Sequence, residues 1–366
     1  MTLTLATAGE SHGPALVAIL SGLPAGLHLE REAIDADLRR RQEGYGRSAR
    51  QRIEADRVEV LAGLRHGRTL GSPLALVVRN RDHANWAWAM SPWPPEDGKA
   101  GKGVQAVTLP RPGHADLSGA LKYGLADVRD ALERASARHT AVHVAGGAVA
   151  KALLRELRIE VSGTALEIGG ERGENEQRAA VDAARAERDT LGGIVEVRAR
   201  HVPPGLGSYA TREERLDGRL AAALMGTQAV KGVELGEGFA LAARRGSLAH
   251  DEILRDERGL HRATNRAGGI EAGVSNGEEI IVRAAMKPLP TLMRPLASVD
   301  LRTGKPADAL VERSDVAAVE ALAVVAEAVV AFELARAARE KFGGDSLDDF
   351  RAAHRAYLER IDWQPR

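Results

Sequence analysis

Arg111, Pro112, Gly113, His114, Ala115 and Asp116 occur as one short stretch, and Glu-Arg-Ala-Ser-Ala-Arg follows at 133–138. Pro112 fixes its own φ, and Gly113 permits a positive φ beside it. A turn so constrained can hold Arg111 and His114 in one geometry. A guanidinium fork beside a fixed imidazole suits an anionic ligand that must gain or lose a proton. The same residues also read as an ordinary turn with solvated charges, and the motif alone leaves both readings open.

Other constellations bear on the choice. Gly9-Glu10-Ser11-His12-Gly13 has the outline of a G-x-S-x-G nucleophile elbow, which would make Ser11 the nucleophile of a serine hydrolase. That elbow normally follows several strands, and here it follows one. No acid and histidine stand in later motifs, since His250 and His261 lie outside any. His139 and His143 are one helical turn apart, a spacing able to bind a metal. Thr140 stands where H-E-x-x-H carries its general base, so two incidental histidines and no metal site are expected. The stretch at 99–103 resembles a phosphate cradle but lacks the Walker spacing, and it reads as surface loop. Arg41, Arg47, Arg111, Arg134, Arg138 and Arg313 lie at element ends or beside Gly, Ser or Pro. Each alone reads as a solvated charge. With Lys287 they point to a polyanionic ligand, whose oxygens match guanidinium forks.

These residues need elements to hold them. Alternation and turn residues predict strands over 2–8, 15–20, 58–61, 74–79, 159–168, 193–202, 233–240 and 280–285. Helices are predicted over 30–41, 128–157, 176–188, 215–231 and 314–341. In the first, Ile34 and Leu38 share a face, Arg39, Arg40 and Arg41 complement the dipole, and Gly44 ends the element. The second is rich in Ala, Ser, Gly and Val. Such residues let helices approach closely, so it is expected inside the protein. The last has Ser314 as its N-cap and Asp315 in its first turn, and Gly343-Gly344 stops it. It is apolar over most of its circumference and therefore expected to be buried. The region 84–104, rich in Pro, Gly and Lys, reads as a mobile loop. Antiparallel-looking strand pairs mix with two buried helices, with no regular βα alternation and no fixed repeat. The whole of 1–366 is read as one domain.

Composition sets outer limits. The chain has 366 residues, with 51 Lys+Arg against 51 Asp+Glu, and this neutrality argues against coating a nucleic acid. Aromatics are 3%, so the core must be built from Ala, Val and Leu. The absence of cysteine removes disulfides, thiolate–metal sites and a cysteine nucleophile, and suits a cytoplasmic protein. No secretory signal and no membrane span are expected.

Ala-Gly-Glu-Ser-His-Gly at 8–13, Gly-Tyr-Gly-Arg at 44–47 and the motif at 111–116 form an ordered set. It continues with Leu-Lys-Tyr at 121–123, the motif at 133–138 and Gln-Ala-Val-Lys-Gly-Val-Glu at 228–234. Asn-Arg-Ala-Gly-Gly-Ile-Glu at 265–271, Met-Lys-Pro-Leu-Pro-Thr at 286–291 and Glu-Arg-Ser-Asp at 312–315 complete it. In this order, nearly end to end, the chain resembles the chorismate synthases. The resemblance implies an α+β fold, a β-α-β sandwich with helices between two antiparallel sheets, usually a homotetramer. It implies anti-1,4-elimination of phosphate from 5-enolpyruvylshikimate 3-phosphate, the last step of the shikimate pathway, dependent on reduced FMN with no net redox change. FMN contacts would fall on Arg134, Ala135, Ser136, Gln228, Ala229, Ala272, Lys287, Pro288, Leu289, Pro290, Thr291 and Arg313. Arg41, Arg47, Arg111 and Arg138 would bind substrate or NADP. His12, His114 and Asp315 would be catalytic, with Ser11 as a helper. The chain departs from the family where many members have Gly at 272, Glu at 139 and Arg at 143. No reductase domain is visible, so an external source of reduced flavin is expected. A flavin- or phosphometabolite-binding protein without catalysis is the alternative, and retention of His12, His114 and Asp315 argues against it.

Overall fold

In the computed structural model, which describes residues 2–48, 55–94, 105–257, 259–312 and 314–364, two four-stranded sheets enclose a layer of helices. The first half runs β1 (Thr4–Ala8), β2 (Ala15–Ser21), α1 (Arg31–Gln42), β3 (Val58–Ala62), β4 (Leu74–Arg79) and the short α2 (His83–Trp86). Then come α3 (Asp116–Tyr123), α4 (Arg129–Ala135) and α5 (Thr140–Arg155). The second half has β5 (Glu160–Ile168), α6 (Glu174–Ala186), β6 (Gly193–Arg200), α7 (Leu216–Met225), β7 (Val230–Leu235) and β8 (Ile280–Met286). The long α8 (Val319–Phe342) and α9 (Leu347–Ile361) end it.

The sheets have strand orders β1-β2-β4-β3 and β5-β6-β8-β7, and every neighbouring pair is antiparallel. Alternation fixes which face is buried. Leu16, Ala18 and Leu20 pair with Val78, Leu76 and Leu74, and all six are buried. In the second sheet Val195, Val197 and Ala199 face Ala284, Val282 and Ile280, again all buried. Helix α5 packs on β2 and β4, α8 packs on β5 and β6, and the two helices pack on each other. The sandwich inferred from the resemblance is therefore the architecture observed.

Small residues set the helix separation. A Cβ added at Gly147 of α5 would stand 2.3 Å from the Ala328 Cβ of α8. One charge network crosses this layer. Glu327, 2% exposed, accepts from both Arg40 Nη atoms at 2.9 and 2.8 Å, from Lys151 Nζ at 2.5 Å and from the Gly163 N–H at 2.9 Å. Burial would push this carboxyl up, but the bonds from Arg40 and Lys151 outweigh it and hold it below the ordinary value.

Several boundaries differ from expectation. The helix expected over 128–157 is two helices joined at Ser136, which is extended (φ −61, ψ 141), and a 3-10 turn at Ala137–His139. The Ser136 side chain accepts the Arg138 N–H and so competes with helical bonding. The final helix begins at Val319, not after Ser314. Val316 N–H donates to Gly46 O at 2.8 Å and Val316 O accepts from Leu191 at 2.8 Å, which keeps this stretch extended. Asp315 is thus not a first-turn acid. The helix over 215–231 stops at Met225, and strand pairing takes residues from Val230 onward. Helices α3 and α9 had no counterpart in the sequence reading. Positions 95–104 of the loop at 84–104, including the cradle-like 99–103, lie outside the described residues.

Candidate active site

Ser11 and His12 lie in the turn between β1 and β2. A strand–turn–strand setting is not the strand–turn–helix of a nucleophile elbow. The Ser11 hydroxyl stands 3.3 Å from the Ser136 hydroxyl, and among the described residues it bonds no histidine. Neighbouring elements hold this turn from several sides. Asn80 Nδ2 donates to Glu10 O at 3.1 Å and Gly13 O at 2.8 Å, and His83 Nδ1 lies 2.9 Å from His12 O. From α4, Glu133 O accepts the Ser11 N–H at 3.1 Å, Glu133 Oε2 accepts the His12 N–H at 2.8 Å, and Glu133 Oε1 stands 2.8 Å from His12 Nδ1. Burial would raise the Glu133 carboxyl, but these bonds hold it below its ordinary value. An ionised carboxylate only accepts, so His12 Nδ1 carries the hydrogen.

His114 follows the same logic. Gly113 adopts φ +79, the conformation expected of the Pro-Gly turn. Asp116, fully buried at the start of α3, places Oδ1 2.5 Å from His114 Nδ1. The Asp116 carboxyl lies well below the carboxylate range, because bonds from His114 and Arg111 overcome its burial. Arg111 Nη2 stands 3.2 Å from the same Nδ1, but two donors cannot bond each other. The carboxylate therefore sets the tautomer. Arg111 is committed elsewhere, donating to Asp116 at 2.8 and 3.2 Å, to Thr291 Oγ1 at 3.0 Å and to Glu312 at 3.2 Å. It braces the motif as much as it offers charge.

The remaining arginines come from α1, the loop after it and the 3-10 turn before α5. Arg41 donates through Nε to Thr140 Oγ1 at 2.8 Å and through Nη2 to Ala137 O at 3.1 Å, a carbonyl of the 3-10 turn that also accepts from the Thr140 hydroxyl. Burial pushes Arg41 down to about 9, with Asp56 opposing. Arg138 donates to both Asp56 oxygens at 2.7 Å and to Asn80 Oδ1 at 2.9 Å. Arg47 Nη1 stands 3.1 Å from Asp315 Oδ2, and Ser48 N–H donates to Asp315 Oδ1 at 2.6 Å. Arg47 Nε is buried and has no hydrogen-bond partner among the described residues. Burial lowers the Arg47 guanidinium, against Asp315.

These groups border one cavity of about 410 Å³. Ser11, His12, Arg41, Arg47, Arg111, His114, Arg138 and Asp315 line it, as do Ala135, Ser136, Gln228, Ala229, Lys287, Leu289, Pro290 and Thr291. The Lys287 ammonium donates to Gly113 O, and burial with nearby Lys231 lowers it. Leu132, Met286, Ala318, Ala321, Leu322 and Val325 add an apolar wall. Three expected cofactor contacts are not in the lining. Arg134 is exposed and donates to Gly9 O at 3.2 Å and Thr7 O at 3.1 Å, so it braces the end of β1. Pro288 is outside the lining, as is Ala272, which sits at φ +49. Arg313 lies outside the described residues. Sequence reasoning passed over Asp56, Asp116, Glu133, Glu312 and Trp86. Asp116 and Glu133 stood inside quoted motifs, and their spacing from a histidine or serine was the available signal. Asp56 carried none. His139 and His143 have ring centroids 5.9 Å apart, and no cluster of three or more metal-ligating side chains occurs among the described residues.

The arrangement can bind an anion and exchange protons beside an apolar slot. The chorismate synthase family model matches residues 3–338. A chorismate synthase from Desulforudis audaxviator is 54% identical, with 97% of each chain covered. One from Pelobacter propionicus is 53% identical, covering 97% of this chain and 98% of the relative. A crystal structure of chorismate synthase superposes with a TM-score of 0.78 at 37% identity, over 99% of both chains. With the sandwich fold and the ordered motifs around its cavity, the chain belongs to the chorismate synthase family, a family of lyases.

Proposed function

We propose that this cavity eliminates phosphate from 5-enolpyruvylshikimate 3-phosphate to give chorismate, with reduced FMN bound in the same cavity. One observation carries the reading. Two histidines, each held through Nδ1 by a buried carboxylate, share a cavity with four arginines and Asp315. In the reaction one C–H and one C–O bond break, a C=C bond forms, and a proton and phosphate leave. The site must therefore hold anions, donate a proton to the leaving group and take one from carbon.

The residues present fit a flavin. The apolar wall suits a flat ring system, and Lys287 with the buried, partnerless Arg47 Nε suits anionic oxygens. Ala135, Ser136, Gln228, Ala229 and Leu289 to Thr291 would line it. Reduced FMN, when bound, supplies electron density to the reacting carbons and regains it, leaving no net redox change.

The chain's own residues do the rest. Arg41, Arg47 and Arg138 offer positive charge to the substrate's carboxylates and phosphate. His114, with Asp116 on Nδ1, transfers its proton at Nε2, and so does His12. Asp315 holds the proton taken from carbon at its carboxylate, with Ser11 nearby. Because Arg47 pairs with Asp315, an anion arriving at Arg47 competes with that carboxylate and couples binding to proton uptake. The resemblance supports a cytoplasmic homotetramer supplied with flavin reduced elsewhere. Anaerobic incubation with the substrate and reduced FMN tests the proposal, with chorismate read by absorbance. Formation of chorismate only with reduced flavin supports it, and tight flavin binding with no product would favour the non-catalytic reading.

A further inference from the structure

Four side chains close a ring beside the cavity, and His12 is the member that lines it. Glu133 bonds His12 twice, at the peptide N–H and at Nδ1, both at 2.8 Å. The His12 imidazole stacks on the Trp86 indole with centroids 4.1 Å apart and planes 26° apart. The Arg129 guanidinium lies 5.0 Å from the Trp86 ring centroid, and its Nη1 is 3.6 Å from Glu133 Oε1. Trp86 is itself tied down, donating through Nε1 to Asp82 Oδ2 at 3.1 Å.

This ring does more than the fold requires. Glu133 is 1% exposed, and an ionised carboxylate buried so deeply is costly unless its oxygens are satisfied. Both side-chain oxygens are spent on one residue. Fastening the turn needs only the bond to the His12 peptide N–H, which a neutral amide could accept. The second oxygen fixes which ring nitrogen carries the hydrogen, and that matters to chemistry and not to packing. The stack matters in the same way. A flip of the imidazole would exchange Nδ1 for carbon and break the Glu133 bond, and the indole against its face resists that motion.

We propose that Glu133 is a positioning residue for His12, with Trp86 as the opposing jaw of a clamp that fixes the imidazole tautomer and presents Nε2 to the cavity. The proposal rests on the reading of His12 as a proton-transferring group in the elimination. Neither jaw lines the cavity. Arg129 holds the jaws together by facing the indole and the carboxylate at once.

The test uses the full-length chain with reduced FMN under anaerobic conditions. In Glu133→Gln the amide keeps the volume but brings a donor against a donor, so the tautomer is no longer imposed. The expected result is kcat lowered about 10-fold or more with KM within about twofold, the smallest loss seen when the group that orients a metal-bound imidazole is replaced. Glu133→Asp should recover part of the loss. Trp86→Leu should lower kcat several-fold and leave KM unchanged. With Trp88, Trp93 and Trp363 replaced by Phe, the emission of Trp86 reports the stack and should rise in Glu133→Gln as the imidazole loosens. A folded Glu133→Gln enzyme with wild-type kcat, beside an inactive His12→Asn, overturns the clamp and leaves His12 in place. Full activity in His12→Asn overturns the underlying reading as well. If Glu133→Gln does not fold, Trp86→Leu decides, and unchanged kcat there overturns the proposal.

Discussion

At the scale of single residues, the site is organised by carboxylates that stand behind the cavity lining. Asp116 and Glu133 each set a histidine tautomer, and Asp56 holds Arg138 and balances Arg41. His114→Ala is expected to keep flavin affinity and lose about 10²- to 10⁴-fold in turnover, the range for a general acid or base. Asp116→Asn should reproduce part of that loss, because an amide no longer dictates the tautomer. Near-normal turnover in both, measured by phosphate release, would remove the dyad from the mechanism. His139 makes a separate prediction. Burial, aided by Arg134 and His143, lowers it from 6.5 to about 4. The unfolded chain therefore binds this proton at higher pH than the folded one. Its contribution to stability is complete above about pH 6.5 and is withdrawn as pH falls toward 4. His139→Gln should flatten the fall in melting temperature across that window, and parallel curves for the two proteins would contradict the assignment. The motif residues were legible in the sequence because Pro-Gly, Arg and His lie within a few positions of one another. Asp56 was not, since its partners Arg41 and Arg138 come from two separate segments of the chain.

At the scale of elements, the two buried helices were visible from their small or apolar residues, but their ends were not. Ser136 breaks the first because its side chain captures the Arg138 N–H, and the 3-10 turn that follows supplies the Ala137 carbonyl that holds Arg41. Ser314 looks like an N-cap, yet pairing of Val316 with Gly46 and Leu191 wins and keeps Asp315 on an extended segment beside Arg47. A local side-chain bond decided the first place and tertiary hydrogen bonds the second, and both lie at the site. The α5–α8 contact yields a test of packing. Gly147→Ala improves helix propensity by up to about 1 kcal/mol. The new Cβ would meet Ala328 Cβ at 2.3 Å, and overpacking of this kind costs about 1–3 kcal/mol. A lower melting temperature is expected, while an unchanged or raised one would show that the helices separate at little cost.

At the scale of the whole molecule, zero net charge hides strong local asymmetry. Four arginines and Lys287 converge on one cavity, and the buried Asp56 and Asp116 hold Arg41, Arg138 and Arg111 in place from behind it. No described helix is long and apolar enough to cross a membrane. The layered architecture puts β1–β2, α4 and the segment before α8 around the same opening, so residues far apart in sequence meet there. The central claim is an elimination in which flavin is required but not consumed. Its most direct test is anaerobic stopped-flow with reduced FMN, following phosphate, chorismate and the flavin spectrum in the same samples. The account predicts equal amounts of phosphate and chorismate over many turnovers, a flavin that ends as reduced as it began, and no reaction when only oxidised FMN is present. Phosphate release at the same rate without reduced flavin, or oxidation of one flavin per product, would contradict it.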